Sequence, residues 1–275
     1  MMAPQPASLT DWLAFLGRAD IPVLKRTARE LERLREDEVQ LNARAVADVV
    51  TDDPLMTVKL LRYMQTHKRR NQTHELVDVK QALLMMGLDT FFREVPAMPI
   101  AEEMLKEHRA ALVYLLRTVR RAQRSAYYAF DWALRLHDMH AEEVQVSALL
   151  THVSEMLMWC FSPERMLEIQ KLQAADHAMR SADAQTLVLG FAGLELQRQL
   201  TVAWRLPELL RNLMDPALAQ STRVRNVMLA VNLARHSAHG WHDAALPDDF
   251  DEIAALLHMD PNKVMALVKA GPAIA

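Results

Sequence analysis

Val46-Ala47-Asp48-Val49-Val50-Thr51-Asp52-Asp53-Pro54-Leu55-Met56-Thr57-Val58-Lys59-Leu60-Leu61-Arg62-Tyr63-Met64 contains the end of one helix and the start of another. Val46, Val49 and Val50 fall on one face at helical spacing, and Leu55, Val58, Leu61 and Met64 do so again after a break. The break is Asp53-Pro54. The acid can accept an orphan backbone N–H as an N-cap, and proline suits the first helical position because its missing N–H would go unused there.

The same punctuation recurs along the chain. Asp260-Pro261 and Ser162-Pro163 repeat the cap-and-proline pattern. Asp78 is placed to cap a short helix that stops at Gly87 in a left-handed C-cap. Asp89 is placed to cap the next, which Pro96 ends. From about Glu107 to His137 there is no Gly or Pro, which predicts one long helix with Leu112, Leu115, Leu116 and Val119 as its apolar stripe. Val144 to Phe161 is apolar nearly all round and predicts one buried helix. Further helices are expected at Leu194–Trp204, Pro207–Met214, Thr222–His239 and Pro247–His258, with a closing one from Pro261. Only 6 glycines occur in 275 residues, and alternating β-branched runs are few. The expected fold class is all-α.

Composition narrows the function classes. Hydrophobic residues make up 51% and charged ones 24%, as in a globular protein. A net charge of -3 gives no global attraction to nucleic acid or anionic membranes. The single cysteine, Cys160, allows no intrachain disulfide and suits a reducing cytosol. The start carries no basic and apolar signal-peptide pattern, and no apolar run approaches the roughly 18 residues that suggest a membrane span. A cytoplasmic location is expected.

Several of these blocks carry a family resemblance. Val46–Met64, followed by Val77-Asp78-Val79-Lys80-Gln81-Ala82-Leu83-Leu84-Met85-Met86-Gly87-Leu88-Asp89, resembles the HDOD family of HD-related output domains. That family's pattern is a helix, then Asp-Pro-x-Leu-x-x-x-Leu-Leu, then an Ala-(Ile/Leu)-x-x-(Leu/Met)-Gly block. Ile21-Pro22-Val23-Leu24 resembles its proline-containing opening. Leu206-Pro207-Glu208 resembles its Trp-Gly-Leu-Pro-Glu segment, with Arg205 in the glycine's place. The resemblance covers roughly residues 10–240. It implies an HDOD-like multi-helix bundle at 10–215, with an internal boundary near Val95-Pro96-Ala97-Met98-Pro99. A C-terminal helical extension at 216–275, after Asp215-Pro216, would complete it.

The resemblance also bears on chemistry. Leu149-Leu150-Thr151-His152-Val153-Ser154-Glu155-Met156 is similar to the Leu-Leu-His-Asp-Ile-Gly-Lys-Leu helix of metal-dependent HD phosphohydrolases. An adjacent His and Asp would grip a divalent cation that polarises phosphate and activates water. Here Thr151 and His152 stand at those positions, and Thr151 cannot replace an imidazole. Ser125 and Ala126 lie where an earlier helical histidine would fall. Asn212-Leu213-Met214-Asp215-Pro216 replaces a histidine-containing turn. The family resemblance therefore implies a signalling module of a bacterial cytoplasm with no catalysis, metal or cofactor, acting on protein partners. Cyclic di-GMP enzymes and kinases are the candidate partners.

Other residues invite competing readings. Arg117, Arg120, Arg121 and Arg124 share one helix face, as a solvated surface or as a site for a nucleotide, another phosphate or an acidic partner. His137-Asp138 is an adjacent pair at the end of the long helix, about 14 residues before the expected position, and reads as a solvated C-terminus. His236, His239 and His242 read as a histidine-rich helix end. His67-Lys68-Arg69-Arg70 is basic without interleaved aromatics, so nucleic acid is not expected. Met156, Met158 and Trp159 read as core or as an adaptable partner groove, and Cys160 as a small buried hydrophobe. The alternative functions are a phosphate-ligand module using the arginine face and a divergent phosphohydrolase using His137, Asp138 or His152.

Overall fold

The computed structural model describes residues 6–37, 39–67, 77–176 and 178–270. Among them the chain is helical, and its one β-type contact is an isolated parallel bridge between Val23 and Ile100.

The opening helices follow their caps. α1 (Leu9–Arg18) starts with a capping box: the Asp11 N–H donates to Ser8 Oγ at 3.2 Å and the Ser8 N–H returns to Asp11 Oδ2 at 3.1 Å. α2 (Lys25–Glu36) and α3 (Ala43–Thr51) come next, and Asn42 caps α3. α4 (Pro54–Thr66) begins at Asp53 as predicted, but Pro54 to Leu61 is buried on every side rather than on one stripe. Asp53 is itself fully buried. It accepts from the Leu55 and Met56 N–H groups of its own helix and from the Leu24 N–H at the start of α2, the last at 2.9 Å. One carboxylate thus serves two helix N-termini.

α5 (Val79–Met86) is capped by Asp78 as expected. Gly87 ends it at φ 79° and ψ 146°, a positive φ but not the left-handed helical cap predicted. Asp89 lies inside the first turn of α6 (Leu88–Glu94) and does not cap it, because the tight Gly87 junction starts that helix two residues early. The Val95–Pro99 break is stitched down rather than being a boundary. Val23 accepts from the Ala101 N–H and donates to Pro99 O, both at 2.9 Å, and Lys59 Nζ donates to Met98 O. α7 (Ala101–Met104) follows.

The long helix is α8 (Arg109–Arg135). The predicted single buried helix from Val144 to Phe161 is instead two, α9 (Ala141–Leu150) and α10 (Val153–Phe161), broken at Thr151-His152. Thr151 Oγ1 donates back to Ser147 O at 3.0 Å, a contact of the kind that bends helices. α11 (Pro163–Ala175) has its proline at the first position, but the buried Ser162 hydroxyl supplies no cap bond. α12 (Ser181–Leu189), α13 (Gly193–Ala203) and α14 (Glu208–Leu213) follow. Asp215 caps a single 3-10 turn, Pro216–Leu218. α15 (Thr222–His236) runs into a second such turn that ends at Gly240 with φ 117°, and α16 (Leu246–Leu257) and α17 (Pro261–Lys269) finish the chain.

These helices form two compact units, each discontinuous in sequence. The first comprises the chain up to Thr118 with His152–Leu206. The second comprises Val119–Thr151 with the chain from Pro207 on. This differs from the linear division at residue 215, because packing and not chain order defines each unit. In the first, Val46, Val50, Met56, Leu60, Leu83 and Phe91 share a core, and α10 packs on α4 and α13. In the second, α15 packs on α9 and α16 around Trp132, Val144, Leu233 and Ile253. Trp12 and Trp132 are fully buried, and truncation of either to alanine would cost about 3–5 kcal/mol.

Candidate functional site

Thr151 is the C-cap of α9 and His152 the N-cap of α10. The Thr151 hydroxyl is directed to its own helix backbone. His152 Nδ1 stands 3.7 Å from Glu155 Oε2, and Glu155 Oε1 accepts from Thr118 Oγ1 at 3.0 Å. Behind His152, the Ser154 N–H donates to Gln197 Oε1 at 2.9 Å. The position is therefore a hydrogen-bonded turn in which the His152 imidazole faces the Glu155 carboxylate. Ser125 is buried, with its hydroxyl donating to Arg121 O at 2.8 Å. Among the described residues no three His, Cys, Asp or Glu side chains converge as a metal-ligand group.

The four arginines of α8 do not share one environment. Arg117 and Arg120 are exposed, and Arg117 lies 5.5 Å over the Tyr114 ring, which stacks on buried Trp159. Arg121 is half-buried and engaged. Arg124 is an internal tie of the second unit. It donates to Ser237 O, Ser237 Oγ and Tyr128 Oη at 3.0–3.3 Å and sits 5.9 Å over the Trp241 ring.

The histidine pairs have ordinary employment. His137 adopts φ 54° at the helix end, and Asp138 forms a two-armed ion pair with Arg223. Burial pushes the Asp138 carboxyl up, but the Arg223 hydrogen bonds and charge, with the His140 N–H, outweigh this and hold it below its ordinary value. His236 Nδ1 lies 2.6 Å from Asp249 Oδ2, and its Nε2 lies 3.1 Å from an Arg235 guanidinium nitrogen. His239 and His242 are exposed. Met156, Met158 and Trp159 are core, and burial pushes the Cys160 thiol far up, away from nucleophilic use. Lys68, Arg69 and Arg70 lie outside the described residues.

A cavity of about 470 Å³ in the first unit was not foreseen. It is lined by Arg18, Asp20, Lys59, Arg62, Tyr63 and Trp204, among others. Lys59 is buried and donates to Asp20 Oδ1 at 2.7 Å, to Ile21 O at 3.1 Å and to Met98 O. Burial pushes its ammonium below the usual lysine range despite Asp20. Arg62 donates to Ala19 O at 2.8 Å and lies 5.8 Å over Trp204. The available sequence signal was a lysine set among Leu55, Val58, Leu60 and Leu61, where a charge must find a buried partner.

The sequence model of the HDOD domain matches residues 21–217. The chain belongs to the HDOD family. Its fold is similar to that of the MmoQ response regulator from Methylococcus capsulatus, with 19% identity and a TM-score of 0.67 over 92% of this chain and 98% of that one. It is also similar to a virulence factor from Campylobacter jejuni, with 18% identity and a TM-score of 0.66 over 94% and 95% of the two chains. Comparison with curated proteins gives no match. Within this HDOD chain, Arg205 takes φ 54° at the end of α13, where the family pattern has glycine. Its N–H donates to Val202 O and that of Leu206 to Thr201 O, so a Schellman-type turn persists around an arginine. No helix among the described residues is long and apolar enough to cross a membrane.

Proposed function

We propose that this HDOD protein is a non-catalytic signalling or regulatory module of a bacterial cytoplasm, acting by protein–protein contact. The observation that carries the reading is the chemistry at the α9–α10 junction. Thr151 offers no imidazole, its hydroxyl is turned to Ser147 O, and His152, in the place of the expected aspartate, has Nδ1 3.7 Å from the Glu155 carboxylate. A hydrolytic metal centre needs several convergent ligands and an open position. The similar MmoQ fold is that of a response regulator, which fits a regulatory role. Arg117 and Arg120, both exposed, are the arginines an acidic partner would reach, whereas Arg124 would first have to leave Ser237.

Two measurements test this. Purified protein is assayed on bis(p-nitrophenyl) phosphate with manganese, iron or magnesium. No metal-dependent turnover is expected, and turnover lost in His152→Ala would overturn the reading. In parallel, crosslinking capture from the native cell compares wild type with Arg117→Glu/Arg120→Glu. Specific partners should be captured and then weakened by charge reversal.

A further inference from the structure

The cavity of the first unit holds an unbalanced charge. Lys59 and Arg62 lie one turn apart on α4, and the nearby carboxylate of Asp20 accepts its hydrogen bond from Lys59. Lys59 has three N–H groups and uses them on Asp20 and two carbonyls, so it is saturated. Arg62 has five N–H donors in a planar fork. It makes one hydrogen bond, to the neutral Ala19 carbonyl, and no ion pair among the described residues. Burial pushes its pKa down, and the nearby Asp20 carboxylate, already bonded to Lys59, only partly offsets this. A half-buried guanidinium in this state gains most from an oxygen anion bound by two arms.

The space beside it suits such a guest. Its volume, about 470 Å³, lies within the range of roughly 300–1,000 Å³ typical of small-molecule sites. Tyr63 and His67 line it as stacked rings, 4.0 Å apart and 22° from parallel. Arg18 is exposed at its edge. Asp20 and Glu94 also line it, so its excess positive charge is small and disfavours a polyphosphate.

We propose that this cavity binds a small molecule bearing one phosphate or carboxylate, held by the Arg62 fork with Arg18 assisting. The Tyr63–His67 pair gives a flat wall for a ring on the same molecule. This goes beyond the partner-binding role, because it assigns a ligand site to different residues.

Isothermal titration of the full chain with inorganic phosphate, benzoate and AMP tests the proposal. The first two distinguish the oxyanions, and AMP adds a ring to the phosphate. At least one should bind saturably at one site. Arg62→Gln should weaken it by about tenfold or more, and Arg62→Lys by less, because lysine keeps charge but not the fork. Lys263→Gln, an exposed change in the second unit, should leave it unaltered. If Arg62→Gln does not fold, Arg18→Gln decides, since an exposed arginine can be replaced without loss of structure. Its expected effect is a several-fold loss. Failure of all three probes to bind saturably would overturn the proposal. So would binding that survives unchanged in the Arg62→Gln variant, or in Arg18→Gln if it alone folds.

Discussion

Arg223 closes two arms of its guanidinium on Asp138, Nε to Oδ2 and Nη2 to Oδ1, each at 2.7 Å. The pair joins the turn after α8 to α15. It also explains the adjacent His137-Asp138: the carboxylate that would complete a metal pair is committed to a guanidinium within the fold. Asp138 additionally accepts from the His140 N–H at 3.0 Å, which shapes the turn into α9.

Asp138→Asn should therefore destabilise the protein by about 1–2 kcal/mol at neutral pH, reduced from a fully buried pair because Arg223 is partly exposed. The Asp138 carboxyl is held below its ordinary value in the folded state. Its contribution is then fully present above the unfolded pKa, about 3.9, and lost as pH falls through the folded value. Urea titrations of both proteins should show a constant gap from neutrality to about pH 5 that closes below about pH 4. A gap that widens on acidification would contradict this account of the pair.

Arg205→Gly should stabilise the protein. Arg205 holds φ 54°, where an L side chain crowds the backbone and glycine does not. The expected gain is about 0.5–1 kcal/mol, after offsetting the extra freedom of glycine in the unfolded chain. Thermal melting reads it directly, and a lower melting temperature would show that the Arg205 side chain contributes more than its backbone strain costs.

Asp53→Ala should be among the most damaging single changes. It orphans the buried N–H groups of Leu24, Leu55 and Met56 together, at a cost of about 3 kcal/mol or more. Asp53→Asn retains an acceptor oxygen and should cost less. Equal losses for the two variants in denaturant unfolding would mean that charge, not cap geometry, matters at this site.

The α8 arginines should separate by stability. Arg124→Ala removes bonds to Ser237 and Tyr128 and the stack on Trp241, a loss of about 2 kcal/mol. Arg120→Glu, on the exposed face, should stay within about 0.5 kcal/mol of wild type. Calorimetry on the two variants tests this, and similar effects would show that both side chains have the same surroundings.

The all-α class, the helix starts at Asp53-Pro54, Asp78 and Asp260-Pro261, and the family blocks were legible in the sequence. They depend on contacts within about four residues, which neighbouring side chains dictate. The same grammar misled at Ser162, whose hydroxyl makes no cap bond, and at Asp89, which the Gly87 junction places inside α6. The absence of a His-Asp pair at Thr151-His152 was also readable, though not the helix break there, because apolar composition does not register the Thr151–Ser147 hydrogen bond. Tertiary structure alone decided which charges are spent and which remain. Asp138 meets Arg223 85 residues away, and Arg124 meets Ser237 at a separation of 113. Lys59 takes the Asp20 carboxylate 39 residues before it and leaves Arg62 without an ion pair among the described residues. Such pairings exist only once packing returns distant segments to each other, since desolvation sets the value of a charge and no local pattern encodes the burial that causes it.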